Sequence, residues 1–174
     1  RMGQPEVAVK LLLADQPAER AALADRLLEL NQERRGLGAQ CWDAVLPLAR
    51  KAADEAGGKY VIVGDGGIHR GITGILASRL AETFRAPAVT ATFMDDGTAV
   101  GSVRSARGLN VKGLLEYCEE LFNDYGGHDA AAGFSMPAER WPRFVEMAGT
   151  YLAAVDLDDG EELIDVDAEL PHEY

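Results

Sequence analysis

The residues best suited to chemistry lie in three short segments that combine small residues with a basic or hydroxyl-bearing side chain. The first segment is residues 101–105, where Ser102 and Arg104 are two positions apart and Ser105 follows. In a strand, that spacing puts the side chains of 102 and 104 on one face, where a hydroxyl and a guanidinium can bind a phosphate together. The alternative is the solvent-facing side of an antiparallel hairpin, which the spacing alone favours.

The second segment is residues 126–133, in which His128 directly follows Gly126 and Gly127. Two glycines allow a backbone and a ligand to approach closely, and the alanines that follow leave room for packing beside the histidine. A single histidine is more often structural, but one framed by glycines and alanines is rarer. We therefore interpret His128 as functional.

The third segment is residues 64–71, a glycine-rich turn that contains His69 and follows an apolar run. A helix that begins after such a turn offers unpaired N–H groups to an anion. The segment is neither a Walker loop nor a dinucleotide-binding glycine fingerprint, so a plain turn between strand and helix is an equal alternative. Arg79, in the helix expected to follow, has the local features of a solvated surface arginine.

Other classes of site are disfavoured by the same residues. The histidines at 69, 128 and 172 lack the spacing of a metal site, and no serine-nucleophile motif is present. Cys41 and Cys118 lie on apolar faces of predicted helices, where inert buried thiols are expected. Two cysteines cannot form a disulfide framework, so we expect a reducing, cytoplasmic setting.

The composition is that of a soluble globular protein, with 174 residues of which 47% are hydrophobic and 26% charged. No apolar run approaches the ~20 residues that cross a membrane and no signal peptide is evident, so no membrane association is expected. The net charge of −12 disfavours nucleic acid as a partner of the chain as a whole. Residues 66–112, however, contain six cationic and three acidic residues, which is compatible with a local anion site.

The elements that must position these segments alternate between strand and helix, which indicates an α/β fold. Amphipathic spacing predicts a helical arm of ~40 residues, with Asp15 as its N-cap and a kink or restart at Pro47. Asn110 is expected to cap a helix that ends near residue 125. Strands are predicted at 60–63, 88–94, 98–104, 134–136 and 164–170, with further helices at 72–84 and 141–152.

This pattern predicts three parts. Residues 1–57 form a long helical connector, residues 58–155 a small mixed β-sheet flanked by helices, and residues 156–174 an acidic connector with the start of a following segment. Because the sequence begins with Arg1 rather than methionine, and because the last strand pattern has little chain left to cover it, we expect a portion of a longer chain.

The three segments, in this order, resemble the DHH-associated domain of the DHH-superfamily phosphoesterases, and most closely that of the RecJ-like exonucleases. Tyr125 precedes only two glycines, which favours the RecJ branch over the branch of small-nucleotide phosphodiesterases. The segments that carry the resemblance are 60–63, 68–72, 75–80, 101–105, 126–128 and 131–133.

The resemblance implies the substrate-binding portion of a single-strand-specific exonuclease, inactive by itself. Manganese or magnesium ions, held by Asp and His of a missing N-terminal DHH domain of the same chain, would activate water for phosphodiester hydrolysis. Single-stranded DNA, or RNA, is the implied partner, in DNA repair and recombination in the cytoplasm. The residues implied to bind substrate are Ser102, Arg104, Ser105, Gly126, Gly127 and His128, with His69 and Arg79 as weaker candidates.

Two other functions stay open. One is an oligoribonuclease or cyclic-dinucleotide phosphodiesterase of the same superfamily, and the other is a non-catalytic scaffold related to inactivated nucleases. The leading interpretation depends on one geometric expectation: Arg104, from an edge strand, and His128, from a tight Gly-Gly bend, meet around one solvent-open pocket.

Overall fold

Five strands form one mixed sheet in the computed structural model, which describes residues 5–157. The strands are β1 Val61–Gly64, β2 Ala88–Phe93, β3 Thr98–Arg104, β4 Asp124–His128 and β5 Ala131–Pro137. Their order across the sheet is β1-β2-β3-β5-β4, in which β1 is parallel to β2 and the other neighbouring pairs are antiparallel. The predicted α/β class with a small mixed sheet is therefore confirmed. The predicted strand at 164–170 and the acidic segment from residue 158 onward lie outside the described residues.

Helices cover both faces of this sheet. No helix within residues 5–157 is long and apolar enough to span a bilayer. The helices are α1 Glu6–Leu13, α2 Pro17–Glu55, α3 Thr73–Phe84, α4 Val111–Tyr117 and α5 Trp141–Ala154.

The first face of the sheet packs against α2 and α3. Residues that pair directly across neighbouring strands share a face, and the row Val61, Ala88 and Arg104 defines this one. The helix α3 lies against β1, β2 and β3. The helical cover of this first face therefore ends near the middle of the sheet. The buried residues of this core include Val45, Ala49, Val61, Ile72, Leu76, Leu80 and Ala88.

The second face packs against α4 and α5 and is rich in aromatic residues. The ring of Phe134, on β5, lies 5.0 Å from that of Phe144 and 5.1 Å from that of Phe122, measured between centroids. Gly101 in β3 lies beneath the Phe134 ring, where a Cβ atom would come within 2.7 Å of two ring carbons. A flat second face at this point lets the central strand and its aromatic cover pack closely.

Most of the predicted connector is one helix, α2, which continues through Pro47 without the restart that the sequence predicts. Pro47 lies inside α2 at an exposed position, where water can satisfy the carbonyl that loses its intrahelical partner. The predicted N-cap at Asp15 is wrong: Pro17 takes the first helical position, and the preceding Gln16 is the cap residue. At the other end, Gly57 and Gly58 have positive φ angles of 61° and 77° and end the helix as expected.

The segment around His128 differs most from the prediction. Gly126 and Gly127 do not form a bend but lie inside the edge strand β4, and the helix capped by Asn110 ends at Tyr117. Glycine has a low strand propensity, so the local sequence does not indicate a strand here. Pairing with β5 along its length, from Asp124 to His128, supplies the order that propensity lacks.

Candidate functional site

The structure brings four of the predicted site residues onto one face of the sheet. Arg104 on β3 pairs with Ala131 on β5, which pairs in turn with His128 on β4. Directly paired residues share a face, so the arginine and the histidine lie on the same side, with about 10 Å between their Cα atoms.

The next row of the sheet adds the other two residues. Ser102 pairs with Gly133, and Gly133 pairs with Gly126. Both rows lie on the first face, beyond the part that α3 covers, and Gly126 and His128 are exposed. We call the open strip formed by Gly126, His128, Ala131 and Gly133 the floor. It carries small residues only, apart from the histidine at its outer edge.

Arg104 stands at the inner border of the floor. The sequence predicts an edge strand at Arg104, and this prediction is wrong: β3 is the central strand of the sheet. The guanidinium donates from Nε to the hydroxyl of Ser78 at 3.1 Å and from Nη1 to the carbonyl of Val103 at 2.8 Å. Partial burial, which removes water from the charged form, lowers the pKa of the guanidinium. Among the described residues no carboxylate forms an ion pair with it.

Ser102 lies one row away and is tied to the start of α3. Its hydroxyl is 3.0 Å from the hydroxyl of Thr73, and the carbonyl of Thr73 accepts a hydrogen bond from Thr90 at 2.7 Å. These two contacts fix the first turn of α3 over the central strands. Ser102 and Arg104 therefore both belong to the junction between β3 and α3.

Ser105 shapes the loop that follows β3. Its hydroxyl donates to the carbonyl of Leu109 at 2.6 Å, and its N–H donates to the carbonyl of Ala130 at 2.8 Å. The N–H of Val111 similarly donates to the carbonyl of Asp129, in the turn between β4 and β5. The hydroxyl of Ser105 therefore closes the loop at Leu109, and its backbone N–H holds the β4–β5 turn next to the end of β3.

The two glycines of β4 have opposite surroundings. A Cβ atom on Gly126 would project into open space above the floor, with no atom within 4 Å. A Cβ atom on Gly127 would lie 2.5 Å from the Cα of Ala132, its partner in β5, at a φ of +152°. Gly127 is therefore required for packing of β4 on β5, whereas Gly126 keeps the floor open.

His69 and Arg79 are not brought to the floor. The Nδ1 of His69 accepts a hydrogen bond from the N–H of Gly71 at 3.0 Å, and the residue lines a small pocket with Gln40 and Cys41 of α2. The guanidinium carbon of Arg79 lies 3.9 Å from the centroid of the Trp42 ring, also on α2. Both residues thus contact the long helix instead of joining Arg104 and His128.

Neither cysteine is accessible for chemistry at the floor. Cys41 and Cys118 are both buried free thiols, as the sequence predicts. Burial, with a smaller contribution from Glu120, raises the pKa of Cys118 to about 11. The thiolate, which is the reactive form, is therefore scarce at neutral pH.

The described part of the chain does not fit a catalytic metal. Within residues 5–157 no group of three or more His, Cys, Asp or Glu side chains is arranged to hold a metal ion. His128 has no hydrogen-bond partner there to orient its ring as a metal ligand. The chemistry that this face itself offers is the binding of an anion.

Comparison with known families assigns this fold. Residues 57–154 match the DHHA1 domain. The chain belongs to the DHHA1 family. This match confirms the resemblance to the DHH-associated domain that the motifs indicate.

Its curated relatives include single-stranded-DNA-specific RecJ exonucleases. The chain is 34% identical over 157 residues to the one from Salmonella typhimurium, which covers 86% of this chain and 27% of the relative. It is 32% identical over 162 residues to the one from Bacillus subtilis, covering 90% and 20% respectively. The DHHA1 chain thus spans about a quarter or less of the length of these proteins.

Solved structures of RecJ share the same architecture. The Thermus thermophilus RecJ structure in complex with Mg²⁺ superposes with a TM-score of 0.76 at 33% identity, over 88% of this chain and 23% of that one. An exonuclease RecJ bound to manganese gives a TM-score of 0.74, also at 33% identity, over 88% and 37%. The mixed sheet and the long helix are therefore confirmed as a RecJ-type DHHA1 arrangement.

Two residues at the DHHA1 site were not predicted to contact Arg104. Ser78 accepts the hydrogen bond from Arg104, and Gly74 lies directly against the same guanidinium. A serine inside a predicted helix has no motif that points to a partner on a strand. The one available indication is that 74 and 78 are small residues four positions apart, which places them on one side of α3.

The two glycines of β4 should respond differently to alanine. We expect Gly127→Ala to lower the free energy of unfolding by about 1–3 kcal/mol, because its methyl group would overlap β5. Gly126→Ala should change it by less than about 0.5 kcal/mol, because its methyl group enters open space. Urea unfolding followed by tryptophan fluorescence measures both, and equal effects would contradict the difference in surroundings between the two glycines.

Arg79 should contribute to the attachment of α2. We expect Arg79→Ala to lower the free energy of unfolding by about 0.5–1 kcal/mol, the usual value for an exposed cation over an aromatic ring. Trp42→Leu should reduce that effect in the double variant, because the ring that Arg79 contacts is gone. If the loss of unfolding free energy in the double variant equals the sum of the losses in the two single variants, the stacking contributes nothing.

Proposed function

We propose that this DHHA1 chain is the part of a RecJ-like exonuclease that binds the backbone of single-stranded DNA. The observation that supports this most strongly is the half-buried, carboxylate-free guanidinium of Arg104 at the border of an open floor that ends at His128. In this proposal the phosphate is bound by Arg104, Ser102 and the backbone near Gly126, with His128 on its outer side.

Electrostatics favours an anionic ligand at this point. A guanidinium that has lost water without gaining a carboxylate is an incomplete site, and a phosphate would complete it with paired hydrogen bonds. The chain has a net charge of −12, so general attraction for nucleic acid is absent. Binding must therefore come from the local geometry at Arg104, which favours a ligand that can approach within contact distance.

The shape of the floor favours an extended strand over a compact anion. Small residues continue from Arg104 across two strands to the sheet edge, and none of them rises above the backbone by more than a methyl group. A duplex presents its phosphates on a wide, stiff cylinder, whereas a single strand can lie flat along such a strip. The RecJ relatives, by their names, act on single-stranded DNA.

In the proposed enzyme, hydrolysis takes place on another domain. The described residues of this chain provide no metal cluster, and RecJ structures have been solved with Mg²⁺ and with Mn²⁺. We assign the metal ions to a DHH domain of the same longer protein and the substrate grip to this chain. By itself the chain is then inactive.

The Arg104→Ala substitution in the full-length protein tests this role. We expect single-strand affinity to fall about 10- to 100-fold, which is the loss of one charged hydrogen-bonding contact. The slope of the logarithm of the binding constant against the logarithm of salt concentration should become shallower by about 0.7, because one phosphate contact is lost. Fluorescence anisotropy of a labelled oligonucleotide at several salt concentrations measures both quantities.

Arg143→Ala is the matched control. It removes the same charge from an exposed position on α5, where the arginine pairs with Glu146 at 2.7 Å. The single-strand affinity of this variant should stay within about twofold of that of the parent, and its salt dependence should be the same as that of the parent. Equal affinities of the Arg104 variant and the parent would rule out the phosphate role.

The length of the substrate tests the alternative enzyme class. Activity of the full-length protein confined to dinucleotides would favour a small-nucleotide phosphodiesterase instead.

The Gly126→Val substitution tests the floor. The valine side chain would stand above the strip, and we expect at least about tenfold weaker binding of single strands with little change in stability, since strands tolerate valine well. Gly66→Val, at another open position with no atom within 4 Å of its added Cβ, should leave binding unchanged. Unimpaired binding by Gly126→Val would mean that the strand does not cross this part of the sheet.

A further inference from the structure

The orientation of the Arg104 side chain is set largely by two residues of α3. Ser78 donates its hydroxyl proton to the carbonyl of Gly74 at 3.1 Å, so a lone pair of its oxygen is directed to the Nε–H of Arg104, also at 3.1 Å. The carbonyl of Val103 accepts a hydrogen bond from Nη1 at 2.8 Å. Two of the three guanidinium nitrogens are thereby fixed by the protein.

Gly74 provides the space in which the guanidinium lies. A Cβ atom at this position would be 2.6 Å from Nη2 and 3.5 Å from the central carbon of the guanidinium. Position 74 is the second residue of α3, next to the end of β3 that carries Arg104. The close approach of Arg104 is a reason for glycine there, since any side chain would displace the charged group.

The third nitrogen, Nη2, is left for a ligand. Among the described residues it has no hydrogen-bond acceptor. Every buried side-chain nitrogen and oxygen in this part of the chain does have a partner, so Nη2 must reach solvent. It lies beside the first turns of α3, near the hydroxyl of Ser102, which is 3.5 Å from the same added Cβ on Gly74.

We propose that Gly74 and Ser78 are positioning residues that hold Arg104 with its Nη2 edge turned to the substrate phosphate. This inference rests on the proposed function, and it adds that affinity depends on two α3 residues that do not touch the substrate. A freely rotating arginine would have to be ordered on binding, whereas this one is ordered beforehand.

The Ser78→Ala and Gly74→Ala substitutions in the full-length protein test the proposal. Alanine is the best helix former, so neither change should weaken α3 itself. We expect each to reduce single-strand affinity about fivefold or more, which corresponds to the loss of one well-placed hydrogen bond, and to make the salt slope shallower. Ser78→Thr, which keeps the hydroxyl, should restore most of the affinity.

Two control variants match these changes. Thr83→Ala removes a hydroxyl of the same helix that bonds the carbonyl four residues earlier, at Arg79. Gly36→Ala adds a methyl group within α2, where no atom lies within 4 Å of it. Both should bind like the parent. A loss of affinity in the controls equal to that in the test variants would overturn the proposal.

Combination with Arg104→Ala identifies the route of the effect. If Ser78 and Gly74 act through Arg104, their substitution in the Arg104→Ala background should cause no further loss of affinity. A further loss as large as that in the parent would show that they act in another way. The proposal would then be wrong even if Arg104 itself binds phosphate.

Unfolding of the same set of variants separates the two hypotheses. The hydrogen bond between Ser78 and Arg104 predicts non-additive effects of the two substitutions on the urea midpoint. Additive effects would mean that this hydrogen bond does not contribute to stability, whatever the result of the binding measurements. Non-additive unfolding together with unchanged binding by Arg104→Ala would retain the ordering of Arg104 by Ser78 but reject both its contact with phosphate and the proposed function.

Discussion

The register of β5 between β3 and β4 is the constraint on which the candidate site depends. It places Ala131 opposite both Arg104 and His128, and Gly133 opposite both Ser102 and Gly126. A slip by one residue would turn each of these side chains to the aromatic face, where Phe134 and Phe144 pack. The hydrophobic core on the second face therefore fixes, through the period of two, which residues stand on the open first face.

The same sheet explains how an acidic protein can offer a cationic site. A surface arginine on a chain of net charge −12 is screened and shared among many carboxylates. Arg104 is removed from that environment by α3, which contributes the hydroxyl of Ser78 as a hydrogen-bond acceptor and, at Gly74, the space in which the guanidinium lies. In the proposed function, local burial and not net charge therefore sets the affinity of this face for a phosphate.

Much of this arrangement could be predicted from the sequence, and the failures have physical reasons. The strands β2 and β3 follow from the Asp-Gly turn signal between them, and the predicted cap Asn110 accepts hydrogen bonds from the N–H groups of Lys112 and Gly113 at the start of α4. The strand β4 could not be predicted, because Gly126 and Gly127 have low strand propensity. Their order comes from pairing with Gly133 and Ala132 of β5, which no local pattern indicates. The contact of Ser78 with Arg104 joins a helix to a strand, and no local pattern records it.

The covering of the sheet also limits how the site can be completed. The second face is closed by α4 and α5, and the first face of β1, β2 and β3 is closed by α2 and α3. Among residues 5–157, the first face of β4 and β5 stays open, with Arg104 on its inner border and His128 on its outer edge. In the proposed enzyme, a metal-bearing domain therefore has to approach from above this floor, with the nucleic acid between the two. The long helix α2, joined to α3 through Trp42 and Arg79, is the part of this chain suited to fix that approach.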